Sequence, residues 1–190
     1  MVARAEAAER TTEKIFSAAL ELFRDRPFSE VTVQAITDRA GVSLQTVLRK
    51  FGSKEGLFEA VGQEMLRTVM TSRRPATSDV RVAVETLVAS YETMGDVGWR
   101  GLCEEGQFPW LKQQMDKARA AHREWVEQSF AHLLPAQPKA ERDRVILLLF
   151  AATDFYLWKL FRRDLGLGRQ ATTERMIDLV NNVVRGLRDE

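Results

Sequence analysis

Cysteine and histidine are scarce in this chain of 190 residues, and their scarcity excludes several kinds of site. Cys103 is the single cysteine, so no disulfide can form within the chain, which is typical of a protein in a reducing compartment. His122 and His132 are ten residues apart, whereas two imidazoles that share a metal from one helix are four apart. The sequence therefore predicts no metal site, no cofactor and a cytoplasmic location.

Long apolar runs are also missing. The most apolar segment, VILLLFAATDFYLWKLF at 145–161, is shorter than the ~20 residues of a membrane-spanning helix and contains Asp154 and Lys159. The first ten residues, MVARAEAAER, have no apolar core of the kind that a secretory signal needs. We therefore expect no membrane partner, and we expect residues 1–10 to form a flexible arm.

The chain also lacks the pattern of β-structure. No segment alternates apolar and polar residues as a half-buried strand does, and proline and glycine number only 5 and 11. The sequence therefore predicts an all-α fold. Helices are expected at about 11–24, 33–40, 44–51, 54–74, 80–95, 100–107, 110–134, 139–163 and 171–187, with a linker at 75–79.

Two of these helices are short and are joined by a tight turn. Thr32 is a suitable N-cap for the first of them, and Gly41 suits the left-handed residue that ends it. Ser43 then offers the N-cap of the second, and Ser53 that of the helix that follows. Short helices joined by a glycine-containing turn of three or four residues predict a helix-turn-helix.

The helix at 44–51 has one apolar side and one polar side without acids. The apolar stripe, predicted to pack on the first two helices, consists of Leu44, Val47, Leu48 and Phe51. The opposite side consists of Gln45, Thr46, Arg49 and Lys50. Amide, hydroxyl, guanidinium and ammonium groups can donate to base edges and phosphates in a major groove. The whole-chain net charge of +1 conceals that 39–54 holds four basic residues and no acidic one.

These residues carry a resemblance to a known family. VTVQAITDRAGVS and TVLRKFGSKEGLFEAV, with AALELF in the first helix, together resemble the N-terminal DNA-binding domain of the TetR family of transcriptional regulators. The resemblance implies a three-helix DNA-binding domain at 1–55 and a larger helical effector-binding and dimerisation domain at 56–190. It also implies a homodimer that binds a palindromic DNA operator, usually as a repressor, and that a small-molecule effector releases.

The resemblance also assigns residues to DNA. Those nearest the bases would be Ser43, Gln45, Thr46 and Arg49, and those at phosphates Thr32, Gln34, Lys50 and Lys54. Leu48 departs from the family pattern, because most members have at this position a tyrosine whose hydroxyl reaches a phosphate. The hypothesis from its spacing is that Leu48 extends the apolar stripe while Arg49 and Lys50 supply charge to the backbone.

The last two predicted helices are candidates for a dimer interface. VILLLFAA at 145–152 is apolar all round, and MIDLVNNVV at 176–184 has an apolar stripe. Candidate interface residues are Ile146, Leu149, Phe150, Met176, Leu179, Val180 and Val183. The alternative is that these residues form core within one chain.

Aromatic and methionine residues in the middle of the chain suggest a pocket for a flat apolar ligand. The candidates are Tyr91, Met94, Trp99, Phe108, Trp110, Trp125, Phe155 and Trp158, together with Asp154. An ordinary core would have a similar composition. Asp154, an acid within an apolar stretch, has three possible roles: it binds an inducer, pairs across the dimer, or faces water at a helix edge.

Two other functional classes were weighed against a DNA-binding regulator. No nucleophile with a base, carboxylate pair or metal-ligand cluster emerges from the sequence, so we do not expect an enzyme. The alternative is a helical protein-interaction or small-molecule-binding module that has lost DNA binding, which the departure at Leu48 allows.

Overall fold

A computed structural model describes residues 2–73, 79–134 and 138–186, with side chains from residue 5 onward. Regular structure within these ranges is helical and includes no strand, which confirms the predicted all-α class. The predicted linker lies outside the described residues except for Asp79. Two compact units are formed, the first by Met1–Arg67 with Asp96–Met115 and the second by Thr68–Gly95 with Asp116–Glu190. The predicted boundary after residue 55 does not coincide with this division.

Four helices open the chain. They are α1 (Val2–Asp25), α2 (Val33–Ala40), α3 (Leu44–Phe51) and α4 (Lys54–Ser72), with a short 3-10 turn at Phe28–Glu30. Residues 2–10, which were predicted to form a flexible arm, belong to α1. Alanine, glutamate and arginine dominate this segment, and all three favour helix.

The predicted caps of the short helices are confirmed. The Ala35 N–H donates to Thr32 Oγ1 at 3.1 Å, and the Thr46 N–H donates to Ser43 Oγ at 3.2 Å. Gly41 ends α2 in the left-handed conformation, with φ 67° and ψ 38°. The turn between α2 and α3 is therefore set by local sequence, and it gives the helix-turn-helix that the spacing predicts.

The first unit has a core of aliphatic residues joined to an aromatic cluster. Fully buried aliphatic side chains include Ile15, Val31, Ile36, Val47 and Leu57. The aromatic cluster consists of Phe23, Phe28, Phe58 and Trp110. The Phe23 ring meets the rings of Phe28 and Phe58 edge-on, each at 4.8 Å between centroids, and the Trp110 ring lies 5.5 Å from Phe58. Trp110, which is distant in sequence, thus packs against the core residues of the first unit.

Gly56 permits a close approach between α3 and α4. A Cβ added at this position would lie 2.3 Å from the carbonyl oxygen of Phe51, the last residue of α3. Any larger residue would therefore push the start of α4 away from the end of α3. This contact fixes the position of α3 within the first unit.

The remaining helices follow the prediction less closely. They are α5 (Val80–Glu104), α6 (Pro109–Ser129), α7 (Lys139–Ala152), α8 (Phe155–Lys159) and α9 (Arg169–Gly186), with a 3-10 turn at Ala131–Leu133 and a π-helical turn at Leu160–Asp164. Helix α5 is kinked at Gly95, where a break was expected at Gly98. The single helix predicted at 139–163 is wrong, because Thr153 ends α7 and Asp154 begins α8.

Helices α7 and α9 pack together in the second unit, and their buried residues correct part of the predicted interface. Ile146, Leu149, Met176 and Val180 are at most 2% exposed and belong to the core of this unit, so they are not available to a second chain. Phe150 and Val183 are half-buried. Of the predicted set, Leu179 alone is classed as exposed, at 36%.

The sequence also missed two exposed leucines on α7. Leu147 is 58% exposed and Leu148 is 42% exposed. None of the helices in the described ranges is both long enough and apolar enough to cross a membrane.

Candidate functional site

Helix α3 presents its polar residues at the surface of the first unit. Val47 is fully buried beneath the helix, and the Phe51 ring packs on that of Phe16 with 5.9 Å between centroids. With this side anchored, Gln45, Arg49 and Lys50 are exposed. The predicted polar face is therefore present and accessible.

Three of the eight residues predicted to contact DNA have polar groups without a partner. Within the described ranges, the side chains of Gln45, Arg49 and Lys50 make no hydrogen bond or ion pair, although the Lys50 ammonium lies 5.9 Å from the centroid of the Phe51 ring. An amide, a guanidinium and an ammonium group on one exposed surface can donate to base edges and to phosphate oxygens.

Four of the remaining five residues use their side chains at helix starts or along α2. Thr32 and Ser43 cap α2 and α3, and Ser43 Oγ lies 2.8 Å from Thr46 Oγ1. Gln34 Nε2 donates to Asp38 Oδ1 at 2.7 Å. Each of these groups would have to share or exchange its partner in order to contact DNA.

Basic charge at the helix-turn-helix is partly committed to contacts within the chain. Lys54 Nζ donates to the Ser29 carbonyl oxygen at 3.5 Å and lies 5.3 Å from the centroid of the Phe58 ring. Arg39 pairs with Glu21 at 3.1 Å, with both side chains largely exposed. The charges of Arg49 and Lys50 on α3 are thus the ones left unpaired within the acid-free segment.

Leu44 and Leu48 contradict the prediction for the apolar stripe. Both are exposed, at 39% and 41%, whereas Val47 is buried and Phe51 is half-buried. The hypothesis that Leu48 packs against the first two helices is therefore wrong. Leucines separated by four residues stand side by side on a helix, so these two form an apolar strip next to Gln45 and Arg49.

The residues predicted to line a ligand pocket fall into both units. Trp99, Phe108 and Trp110 belong to the first unit, where Phe108 and Trp110 pack against the core described above. The other six belong to the second unit: Tyr91, Met94, Trp125, Asp154, Phe155 and Trp158. The Tyr91 ring lies 5.1 Å from that of Phe155 and 6.0 Å from that of Trp158.

Sequence reasoning missed Arg73 in this cluster. Arg73 ends the α4 segment and is only 4% exposed. Its Nε donates to Ser90 Oγ at 2.6 Å, its Nη2 lies 3.6 Å from Met94 Sδ, and its guanidinium carbon lies 4.5 Å from the centroid of the Tyr91 ring. Arg73 lies near the end of the helix predicted at 54–74, and no local sequence pattern indicates that its side chain is buried.

His122 is the second buried polar residue of the cluster, so this histidine belongs to the core of the second unit. It is 6% exposed, stacks on Trp125 at 5.5 Å between centroids, and places Nε2 3.2 Å from Thr153 Oγ1. Its Nδ1 has no hydrogen-bond partner in the described part of the chain. Burial and the nearby Arg73 charge lower the pKa of His122 to about 3, so the ring is neutral.

Asp154 has a local role that none of the three alternatives included. Its Oδ1 accepts the Tyr156 N–H at 2.8 Å and so caps α8. Burial raises the pKa of this carboxyl group, and the capping bond opposes the shift, with smaller contributions from Arg119 and Arg73. Within residues 2–73, 79–134 and 138–186, no three or more histidine, cysteine or acidic residues are grouped so that they could hold a metal ion.

Comparison with known proteins bears directly on the helix-turn-helix. Residues 15–61 match the family model described as "Bacterial regulatory proteins, tetR family". The chain carries a TetR-family N-terminal domain. All eight residues predicted to contact DNA lie within the TetR match, as does Leu48. Among curated proteins, none matches the chain significantly.

Solved structures extend the TetR likeness to the whole fold. A tetR-family transcriptional regulator from Streptomyces coelicolor is 19% identical, with a TM-score of 0.68 over 90% of this chain and 80% of that one. GusR from Salmonella enterica is 17% identical, with a TM-score of 0.73 over 92% and 95%. The flavonoid-responsive regulator FrrA is 18% identical, with a TM-score of 0.67 over 94% and 97%. At these identities the likeness concerns the fold, a TetR domain followed by a larger helical part.

Proposed function

We propose that this chain is a sequence-specific transcriptional repressor that binds a palindromic DNA operator as a homodimer and is released by a small-molecule effector. The observation that carries the proposal is the surface of α3, where Gln45, Arg49 and Lys50 expose unpartnered donors on the second helix of a TetR-family helix-turn-helix. In such a motif the second helix enters the major groove.

The donors on α3 divide into two roles. Gln45 and Arg49 are four residues apart on one side of the helix, and their amide and guanidinium groups suit bidentate contacts to adenine and guanine. Lys50 is a compact point charge and suits a phosphate. Thr32, Gln34, Ser43, Thr46 and Lys54 would support the register through the helix starts and the backbone.

The exposed leucines of α3 would add an apolar contact to this readout. Leu44 and Leu48 carry no hydrogen-bonding side-chain groups, so they gain nothing from a phosphate. In a major groove the apolar group available to them is the 5-methyl of thymine. Leu48 would therefore replace a backbone contact typical of the family with a base contact.

The homodimer is supported by the outer surface of α7 and α9. Leu147 and Leu148 on α7 and Leu179 on α9 are exposed, while the opposite sides of both helices are buried within the second unit. Two such helix pairs from two chains can form a four-helix interface around a two-fold axis. The response to an effector is supported only by analogy with neighbours such as FrrA, which is described as flavonoid-responsive.

Selection of binding sites from random DNA tests the proposal. We expect two inverted half-sites whose centres are about one helical turn, ~34 Å, apart. Arg49→Ala should cost ~1 to 3 kcal/mol of binding free energy and relax the preference at one base pair, because a bidentate contact to a base is lost. Lys50→Ala should weaken binding to all sequences and lower the salt dependence by about one counterion.

The matched control is Arg67→Ala, because Arg67 is an exposed arginine of α4 that pairs with Glu64 and lies outside the TetR match. This variant should bind the selected operator as the unaltered chain does. Enrichment of no sequence at all would overturn the proposal and favour the alternative of an interaction or small-molecule-binding module that has lost DNA binding.

A further inference from the structure

The second unit buries a positive charge without a negative partner at contact distance. No carboxylate in the described ranges lies within 4 Å of the Arg73 guanidinium, whose polar neighbours there are the Ser90 hydroxyl, the Met94 sulfur and the Tyr91 hydroxyl. Asp154 acts on Arg73 only at longer range, and its carboxylate is already engaged in capping α8. Among the described residues Arg73 therefore has only uncharged acceptors, for a group that can donate five hydrogen bonds.

Such an arrangement is unfavourable for stability alone. Removing a guanidinium from water costs several kcal/mol, and this cost is recovered only when well-placed acceptors or an opposite charge replace the water. A hydroxyl and a thioether do not replace a carboxylate, because charge-assisted bonds are roughly twice as strong as neutral ones. The contacts of Arg73 are thus those of a binding group whose anion is supplied from outside the chain.

The surroundings of Arg73 are apolar and aromatic. The guanidinium lies over the Tyr91 ring, and the backbone carbonyl of Arg73 accepts the Trp125 indole N–H at 2.9 Å. The Tyr91 hydroxyl is engaged with the Thr153 carbonyl oxygen at 2.8 Å. Because their polar groups already have partners, the Tyr91 and Trp125 rings offer apolar faces to a ligand. Such faces suit a flat hydrocarbon group attached to an anion.

His122 adds a second buried polar atom that the fold leaves unused. The Thr153 hydroxyl donates to the Leu149 carbonyl oxygen at 2.7 Å, so the proton between Thr153 and His122 belongs to His122 Nε2. Nδ1 of the same ring consequently carries a lone pair, and it has no partner in the described residues. His122 and Arg73 are linked through Trp125, which stacks on the His122 ring and donates its indole N–H to the Arg73 carbonyl oxygen. A buried acceptor that is unsatisfied in the described residues thus belongs to the same cluster as the buried arginine.

Met94 and Gly95 provide a means of access. Met94 is half-buried, and its flexible side chain reaches Arg73 from the partly exposed side of α5. The next residue, Gly95, has φ 45° and ψ −128°, a conformation that only glycine adopts readily. The backbone therefore departs from helical geometry directly after Met94.

We infer that the second unit binds a small apolar carboxylate, whose anionic group takes the place of the Met94 sulfur at the Arg73 guanidinium. The apolar body of the ligand lies against Tyr91 and Trp125. This inference rests on the proposed response to an effector and names the chemical class of that effector.

Calorimetric titration of the full chain, free of DNA, tests the inference with defined probes. The probes are benzoate, phenylacetate, 2-naphthoate and octanoate, each paired with its uncharged amide. At least one acid should bind with Kd below about 1 mM, and its amide should bind at least about tenfold more weakly, because the amide cannot form the ion pair. Equal binding of acid and amide, or no binding by any acid, would overturn the inference.

Substitution of Arg73 provides a second test of the carboxylate site. Arg73→Met should abolish acid binding without lowering the melting temperature, because a buried unpaired charge is replaced by an apolar chain of similar length. The matched control, Arg175→Met, removes an exposed arginine and should leave acid binding unchanged. Unchanged acid binding in Arg73→Met would overturn the assignment. If Arg73→Met does not fold, the comparison of acid with amide on the unaltered chain still decides the question.

Binding to the selected operator, measured with and without the best acid, separates this inference from the proposed function. An acid that binds but leaves operator affinity unchanged upholds the carboxylate site and contradicts release by effector. Operator binding without any acid binding contradicts the carboxylate site and leaves the DNA-binding function standing. Acid binding by a chain that selects no DNA sequence contradicts the function alone.

Discussion

Leu48 gives a direct way to detect a base contact on α3. If its exposed side chain meets a thymine methyl, replacing that thymine by uracil should lower operator affinity by about 0.8 kcal/mol, roughly fourfold, because one methyl group is no longer buried. Leu48→Ala should cause a similar loss. The two changes combined should cost little more than either alone, since both remove the same contact. Fluorescence anisotropy with singly substituted operators measures all four affinities.

The control for Leu48 is Leu165→Ala, which shortens another exposed leucine outside the TetR match. Leu165→Ala should leave operator affinity unchanged. Replacing thymine by uracil should lower the affinity of this variant as much as it lowers that of the unaltered chain. If the losses of binding free energy caused by Leu48→Ala and by uracil were fully additive at every thymine position, Leu48 would not contact a thymine methyl group.

His122 should make the stability of the chain depend on pH between about 6.5 and 5. Its pKa falls from an ordinary value of 6.5 to about 3 in the folded state, chiefly through burial, so the unfolded chain binds the extra proton in this range. Stability is therefore full above about pH 6.5 and is lost as pH falls, by about 2 kcal/mol between pH 7.5 and pH 5. Urea unfolding at a series of pH values measures this loss.

The variant His122→Phe tests whether this residue is the source of the loss. Between pH 7.5 and pH 5, the unfolding free energy of the unaltered chain should fall by about 2 kcal/mol more than that of His122→Phe. His132→Phe serves as the comparison, because the other histidine is classed as exposed in the short turn after α6. An equal pH dependence in the unaltered chain and His122→Phe would contradict the assignment.

Gly56, in the first turn of α4, lies too close to the end of α3 to be replaced without cost. Gly→Ala inside a helix ordinarily stabilises by up to about 1 kcal/mol. At Gly56 we expect the opposite, a loss of about 1 to 3 kcal/mol, because the new Cβ would lie 2.3 Å from the Phe51 carbonyl oxygen. Thermal unfolding measures the loss, with Gly186→Ala at the end of α9, where nothing lies within 4 Å of the new Cβ, as the control.

The helices whose ends carry strong capping signals were predictable from sequence. Thr32, Gly41 and Ser43 fixed the limits of α2 and α3, because capping depends on neighbouring backbone groups alone. Asp154 is also a capping residue, but it lies within a long apolar run, and that run was interpreted as one continuous helix. Neither a glycine nor a proline marks the break at Asp154, so hydrophobic periodicity could not locate it.

The candidate sites were predictable only where the residues lie close in sequence. The polar side of α3 follows from helical periodicity within eight residues. The burial of Leu44 and Leu48 was predicted wrongly, because periodicity indicates which residues share a side and does not indicate how far a neighbouring helix extends over it. Arg73 and His122 both contact Trp125 through tertiary packing, and no local sequence pattern carries that information.

The oligomeric state of the whole molecule should depend on the exposed leucines of α7. The double variant Leu147→Glu with Leu148→Glu should weaken a homodimer at least about 100-fold, because each buried leucine contributes about 1.5 to 3 kcal/mol and the new charges repel across a two-fold axis. Sedimentation velocity at micromolar concentration distinguishes monomer from dimer. Leu165→Glu, which alters a leucine that is 60% exposed outside both α7 and α9, should remain dimeric.

The first compact unit is assembled from two separate stretches of chain, and this limits how regulators of this kind can be recombined. Trp110 completes the aromatic cluster around Phe58, yet residues 68–95, which belong to the second unit, lie between them in sequence. A chimera that joins residues 1–67 to the effector part of another regulator would exchange Trp110 for a foreign side chain. Operator specificity should therefore be transferred by exchanging the surface residues of α3, and exchange of residues 1–67 as one segment should fail.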